Sequence, residues 1–147
     1  MKIYISYFAQ MRNFPKQAVT FSTAMWNPSW YQGLTLPQVI MPEEWLRPLY
    51  AENQMCQKHC PLHPPCGFMN IYYKFLNTVD FNSVMDLLLT QANAASKGVE
   101  PIIILLVYEP ATCDCAERPV LQRWFKEHGV DLLEWQPPEK HKYTALF

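Results

Sequence analysis

EPIIILLVYEPATCDCAERPVLQRW, residues 100–124, decides the fold. Ile102 to Val107 is a short, continuous apolar run rich in β-branched residues. With no polar alternation, it reads as a strand buried on both faces. Tyr108-Glu109-Pro110 breaks the run into a small loop that holds Cys113 and Cys115. After Arg118-Pro119, Val120, Leu121, Trp124 and Phe125 fall on one side of a helix. Proline suits a first helical turn because its missing N–H would have no partner there. The stretch therefore reads strand, loop, helix. In open parallel sheets, ligands bind at such junctions, beyond the carboxyl ends of the strands.

Working outward, Ile3, Ile5 and Tyr7 alternate with Tyr4 and Ser6, and AVTFST at residues 18–23 is a second strand. Trp26 to Gly33, WNPSWYQG, sets three large aromatics around Pro28 and is expected to wrap an edge or rim a pocket. Pro42-Glu43-Glu44 suits a helix start. Residues 69–79 and 81–95 read as helices, with Val84, Leu87, Leu88 and Gln91/Ala92 as a stripe and Lys97-Gly98 as a stop. A helix over 119–128 and a last short strand over 130–135 follow. This order predicts one three-layer α/β domain with a mostly parallel sheet, spanning 1–147 with a Cys/His/Pro-rich insertion at about 51–68. An α+β arrangement with an antiparallel edge is the alternative.

Composition narrows the classes. The chain has 147 residues, enough for one real core, and half of them are hydrophobic, so it is expected to fold. A formal net charge of -1 gives no global attraction to nucleic acid or to an anionic membrane. No apolar run approaches membrane-spanning length. The N-terminal MKIYISYF is too short and too aromatic for a secretion signal. Five cysteines, an odd count, point to a reducing cytoplasm with free thiols or a metal rather than a disulfide framework. With only 4 glycines, a Gly-rich phosphate loop is absent.

KIYISYF, FSTAMWNPSWYQGL, and ILLVYEP followed by a Cys…Arg helix start and an L-x-W-(x)-E ending resemble the domain-of-unknown-function 488 family, in particular its short phage- and bacterium-encoded members. The resemblance covers about the first 34 residues and residues 100–135. It implies a Rossmann-like domain, a pocket at the strand ends, and nucleotide or nucleic-acid substrates. Family members commonly carry Cys-His-Arg where the last helix begins. The nearest match here, Cys115-Ala116-Glu117-Arg118, is one residue longer and lacks the histidine.

The candidate residues follow from these positions. Arg118 at a helix start could fork onto an anion, and the same field would lower the thiol pKa of Cys115 and make it nucleophilic. The structural alternative buries Cys115 and pairs Arg118 with Glu109 or Glu117. A phosphate-cradling cysteine loop does not fit, since Cys113 to Arg118 leaves four residues and no glycine. Tyr108 and Glu109 end the central strand, where Glu109 could act as a general base or hold a ribose hydroxyl. Ser6, Tyr7, Ser22 and Thr23 end the first two strands and could bind ligand or cap loops. Trp26, Trp30 and Tyr31 could stack on a base or pack as a lid. Cys56, His59, Cys60, His63 and Cys66 fall within eleven positions, and Cys56, Cys60, His63 and Cys66 are a ligand set for structural zinc, although the usual Cys-x-x-Cys knuckle is missing.

Two functions fit. One is a small domain that binds or acts on a nucleotide or a nucleic-acid base, with N-glycosidic or nucleotide-modifying chemistry by Glu109 and Cys115. The other is a binding protein without turnover that sequesters a nucleotide-like signal or a host protein. A homodimer and a host-protein complex are both compatible with the sequence; a membrane partner is not expected.

Overall fold

The computed structural model describes residues 2–40, 42, 44–45, 67–108, 110 and 116–138. Five strands form a single all-parallel sheet: β1 (Lys2–Tyr7), β2 (Ala18–Ser22), β3 (Leu34–Thr35), β4 (Ile102–Val107) and β5 (Leu133–Glu134). Their spatial order is β3-β2-β4-β1-β5. The helices are α1 (Gly67–Leu76), α2 (Phe81–Ser96) and α3 (Glu117–Glu127). The fold is thus α/β and Rossmann-like, as the strand-loop-helix reading implies.

The apolar run of β4 takes the central place because both of its backbone edges must be paired. Lys2 to Tyr7 of β1 align with Ile102 to Val107, and Ala18 to Ser22 of β2 align with Ile102 to Leu106. Alternate residues then enter different cores. Ile103, Leu105 and Val107 join Ile3, Ile5 and Phe21 beneath α1, α2 and α3, which contribute Tyr72, Phe75 and Leu76, then Val84, Leu88 and Ala92, then Val120, Leu121, Trp124 and Phe125. Ile104 and Leu106 face the other way, onto Phe8, Ala24 and Trp135. No α-helix covers that second face among the described residues. Its outer layer is a 3-10 helix, Phe8–Asn13, and the aromatic segment after β2.

Local signals explain the helix ends. Asp80 caps α2 by accepting from the Ser83 backbone N–H at 3.3 Å. At its other end Lys97 adopts a left-handed conformation, φ 52°, and Gly98 follows at φ 91°, so the chain turns where the Lys-Gly pair predicts. Two expectations shift. The last strand is only Leu133–Glu134, prolonged by one bond from Trp135 N to Ile5 O at 2.8 Å, before Pro137-Pro138 deny the ladder further donors. β3 has no periodic signature at two residues; its pairing places Leu34 beside Phe21 and Thr35 beside Ser22. No described helix is long and apolar enough to cross a membrane.

Leu105 has no exposed surface and lies in the central strand, whereas Leu133 is 61% exposed on the edge strand. Leu105→Ala is expected to lose about 2–5 kcal/mol of unfolding free energy in urea titrations. Leu133→Ala should stay within about 0.5 kcal/mol of the parent.

Candidate functional site

The carboxyl edge of the sheet is where the connections diverge. The 3-10 helix leaving β1 passes over the second face toward β2; α3, leaving β4, passes over the helix-covered face toward β5. Adjacent parallel strands whose connections part to opposite faces leave a crevice between their ends, the usual ligand position in open α/β sheets. Tyr7 and Val107 are register partners at that edge.

On the helix-covered side the principal group is Arg118, in the first turn of α3 and only 4% exposed. Its carboxylate partner is Glu134, at the end of β5: Nε donates to Oε2 at 2.9 Å. Nη1 donates to the Pro110 carbonyl at 2.8 Å. The guanidinium carbon lies 5.9 Å from the centre of the Tyr7 ring. Two atoms of the pair, Arg118 Nη2 and Glu134 Oε1, are buried without a hydrogen-bond partner. Burial pushes the Glu134 carboxyl above its ordinary pKa, and the neighbouring Arg118 charge and hydrogen bond pull it back down.

Of the two expected partners of Arg118, Glu109 lies outside the described residues and Glu117 is not the acid that pairs with it. Glu117 is instead turned to Thr23, whose Oγ1 lies 3.2 Å from Glu117 Oε2 and 2.9 Å from the Leu106 carbonyl oxygen. With one proton, that hydroxyl donates to one acceptor at a time. Sequence reasoning missed Glu134 because it stands sixteen residues from Arg118, in a short last strand for which no site residue was considered. The clue lay in its position: an acid at the end of the last strand is the same kind of feature that singled out Glu109.

On the other side, Phe8 anchors an aromatic cluster. Its ring centre lies 4.9 Å from Tyr108, 5.3 Å from Tyr31 and 6.2 Å from Trp30. The Tyr108 hydroxyl donates to the Trp26 carbonyl oxygen. Tyr31 is fixed by donation to the Leu34 carbonyl at 2.6 Å. Burial raises its hydroxyl pKa, keeping it a donor. Trp26, Trp30 and Tyr108 are 70%, 57% and 49% exposed, and they make up three of the five exposed large hydrophobics among the described residues. Gly33 permits this arrangement: a Cβ there would meet Tyr31 Oη at 2.2 Å and Thr20 Oγ1 at 2.3 Å.

The serines have different surroundings. Ser22, fully buried, donates from Oγ to Asn27 Oδ1 and accepts from the Ala24 N–H at 3.2 Å, so it holds the loop after β2. Ser6 is also fully buried, and its Oγ has no partner. The structure therefore brings Tyr7, Thr23 and Arg118 to one side of the edge and Trp26, Trp30, Tyr31 and Tyr108 to the other. Glu109 and Cys115, and the zinc set Cys56, Cys60, His63 and Cys66, lie outside the described residues. Among the described residues no group of three or more His, Cys, Asp and Glu could hold a metal. Two hollows of about 260 and 270 Å³ lie at the opposite, amino end around Gln17 and Val99, and neither is lined by a buried unpartnered polar atom.

Comparison with protein-family models, with curated proteins and with solved structures found no match.

Removing one member of the buried pair strands the other. Arg118→Ala is expected to cost about 3–5 kcal/mol in denaturant unfolding, while the double replacement Arg118→Met with Glu134→Leu recovers most of that loss. Equal destabilisation by the single and the double variants would contradict a coupled pair. The pair also contributes to the pH response. Because the folded carboxyl of Glu134 holds its proton more tightly than the unfolded one, its contribution to stability is fullest in acid, below the ordinary glutamate pKa. That contribution declines as pH rises through the raised value, so the stability profile of Glu134→Gln should lack this component. Gly33→Ala is expected to push the Tyr31 ring off its acceptors at a cost of about 1–3 kcal/mol, visible as a lower urea midpoint.

Proposed function

We propose that the protein binds a nucleotide or a nucleic-acid base reversibly at the carboxyl edge of its sheet. The observation that carries this reading is the clustering of Trp26, Trp30 and Tyr108, all exposed and tied together through Phe8 and the Trp26 carbonyl, beside the crevice between β1 and β4. Large apolar rings left in water cost free energy that a stacked base recovers. Every base has a π face, so such a platform favours the class of ligand over one sequence or one base. Support comes from the position of these rings near the carboxyl ends of the strands, where open parallel sheets commonly receive ligands. The resemblance to the domain-of-unknown-function 488 family, carried by β1, the aromatic segment and β4 through β5, leads to the same expectation.

Binding without turnover is favoured by the state of the acids. Glu134 is engaged by Arg118, and Glu117 is engaged by Thr23. Both acids thus hold structural contacts, although Oε1 of Glu134 has no partner. Glu109, the residue first considered for acid–base work, is tested directly by substitution.

The test is calorimetric titration with bases, nucleosides and 5′-monophosphates, followed by chromatography of the recovered ligand. Unchanged ligand recovered at one equivalent, with Trp26→Ala or Tyr108→Ala weakening binding by about 5- to 150-fold, is the expected result, matching about 1–3 kcal/mol per stacked base. Tyr108→Phe should retain most of the affinity. Absence of binding, or stacking variants that bind like the parent, removes this reading. Product that disappears in Glu109→Gln would replace it with an enzyme.

A further inference from the structure

We propose that the Arg118–Glu134 pair receives a ribose hydroxyl, so that the site selects ribonucleosides over ligands lacking the sugar hydroxyls. This rests on the base-binding reading above and adds to it the group recognised on the other side of the sheet edge.

The argument begins with the two unpartnered atoms. In a guanidinium, Nε and Nη2 share one edge, and that edge ordinarily meets both oxygens of a carboxylate at once. Here only Nε and Oε2 join, at 2.9 Å. Nη2 remains a buried donor and Oε1 a buried acceptor, on the two groups that this bond unites. Each such group costs about 1–3 kcal/mol when buried without a partner, and folded proteins carry few of them. Arg118 is not free to swing toward another acceptor, since Nη1 is held by the Pro110 carbonyl.

The chemistry of the missing partner follows. It must accept from Nη2 and donate to Oε1. A phosphate oxygen accepts but cannot donate, and it would face the Glu134 carboxylate. Nor does the pair offer a net positive charge to draw it, because Glu134 already balances Arg118. A carbonyl only accepts, and an ammonium only donates. A water molecule does both through a single oxygen, and so does a ligand hydroxyl that takes its place; the two side chains are only 5% and 17% exposed. In a nucleotide-like ligand the hydroxyls are those of the sugar.

Position agrees with chemistry. Arg118 opens α3, Glu134 ends β5, and the guanidinium lies near the Tyr7 ring. Tyr7 is followed directly by Phe8, the anchor of the aromatic platform. A base on Trp26 and Tyr108 with its sugar across the edge would place the two parts of one nucleoside on the two sides of the crevice.

Calorimetry on the full chain compares each ribonucleoside with its 2′,3′-dideoxy counterpart and with the free base. The ribonucleoside is expected to bind about ten-fold tighter than the dideoxy form, the value of one good hydrogen-bonded contact. Glu134→Gln, its folding checked by circular dichroism, should bring the ribonucleoside down to the dideoxy affinity. Equal affinity for the two sugar classes in the parent protein, with Trp26→Ala still weakening both, overturns the sugar assignment and leaves the base reading intact. A ribose preference that survives in well-folded Glu134→Gln removes the pair from the recognition. Failure of every base and nucleoside to bind removes both proposals together.

Discussion

The pairing of β4 on both edges is the constraint on which the remainder of the molecule depends. A strand as apolar as Ile102 to Val107 can be buried only if its backbone donors and acceptors are satisfied by neighbours. β1 and β2 supply them, one on each side and both parallel to it. Parallel neighbours require the chain to return to the same end after every strand. All loops that follow strands therefore gather at one edge, and that edge collects Tyr7, Thr23, Tyr108 and the start of α3. This gathering of side chains at one edge is a geometric result of how the least polar segment of the chain is buried.

The two faces of the sheet divide the labour unevenly. α1, α2 and α3 cover one face over Ile5, Phe21 and Leu105, and this is where the larger buried apolar cluster lies. The other face is closed by a 3-10 helix and by aromatic side chains of an irregular segment. Large rings cover area with little backbone, but they leave some of that area wet: Trp26 and Trp30 remain more than half exposed although their neighbours Phe8 and Tyr31 pack inward. Thin cover and exposed aromatic rings are thus two aspects of one solution. At the helix-covered side, Arg118 and Glu134 do the opposite, carrying opposite charges into a nearly closed space where each makes the other tolerable.

Much of this was visible in the chain. The β4 run, the alternation of β1, the Lys97-Gly98 stop of α2 and the apolar stripe of α3 are local patterns, and each element formed where its pattern lies. The strand-end residues Tyr7, Thr23, Tyr108 and Arg118 were also legible as a set, because parallel topology alone predicts that they share an edge. β3 was not legible, since two residues carry no periodicity. The role of Ser22 was hidden for a related reason: its partner Asn27 belongs to a loop whose path no repeat predicts.

Sequence by itself therefore determined the strands and helices other than β3 and that the strand ends would converge, because hydrophobic spacing and helix stops are written in consecutive residues. Tertiary structure alone decided which acid meets Arg118, which face receives the helices and which receives the aromatics. Those choices depend on strand order. Placing β5 beside β1 brings Glu134 level with Ile5 and within reach of α3, a relation between separate elements that no local pattern encodes.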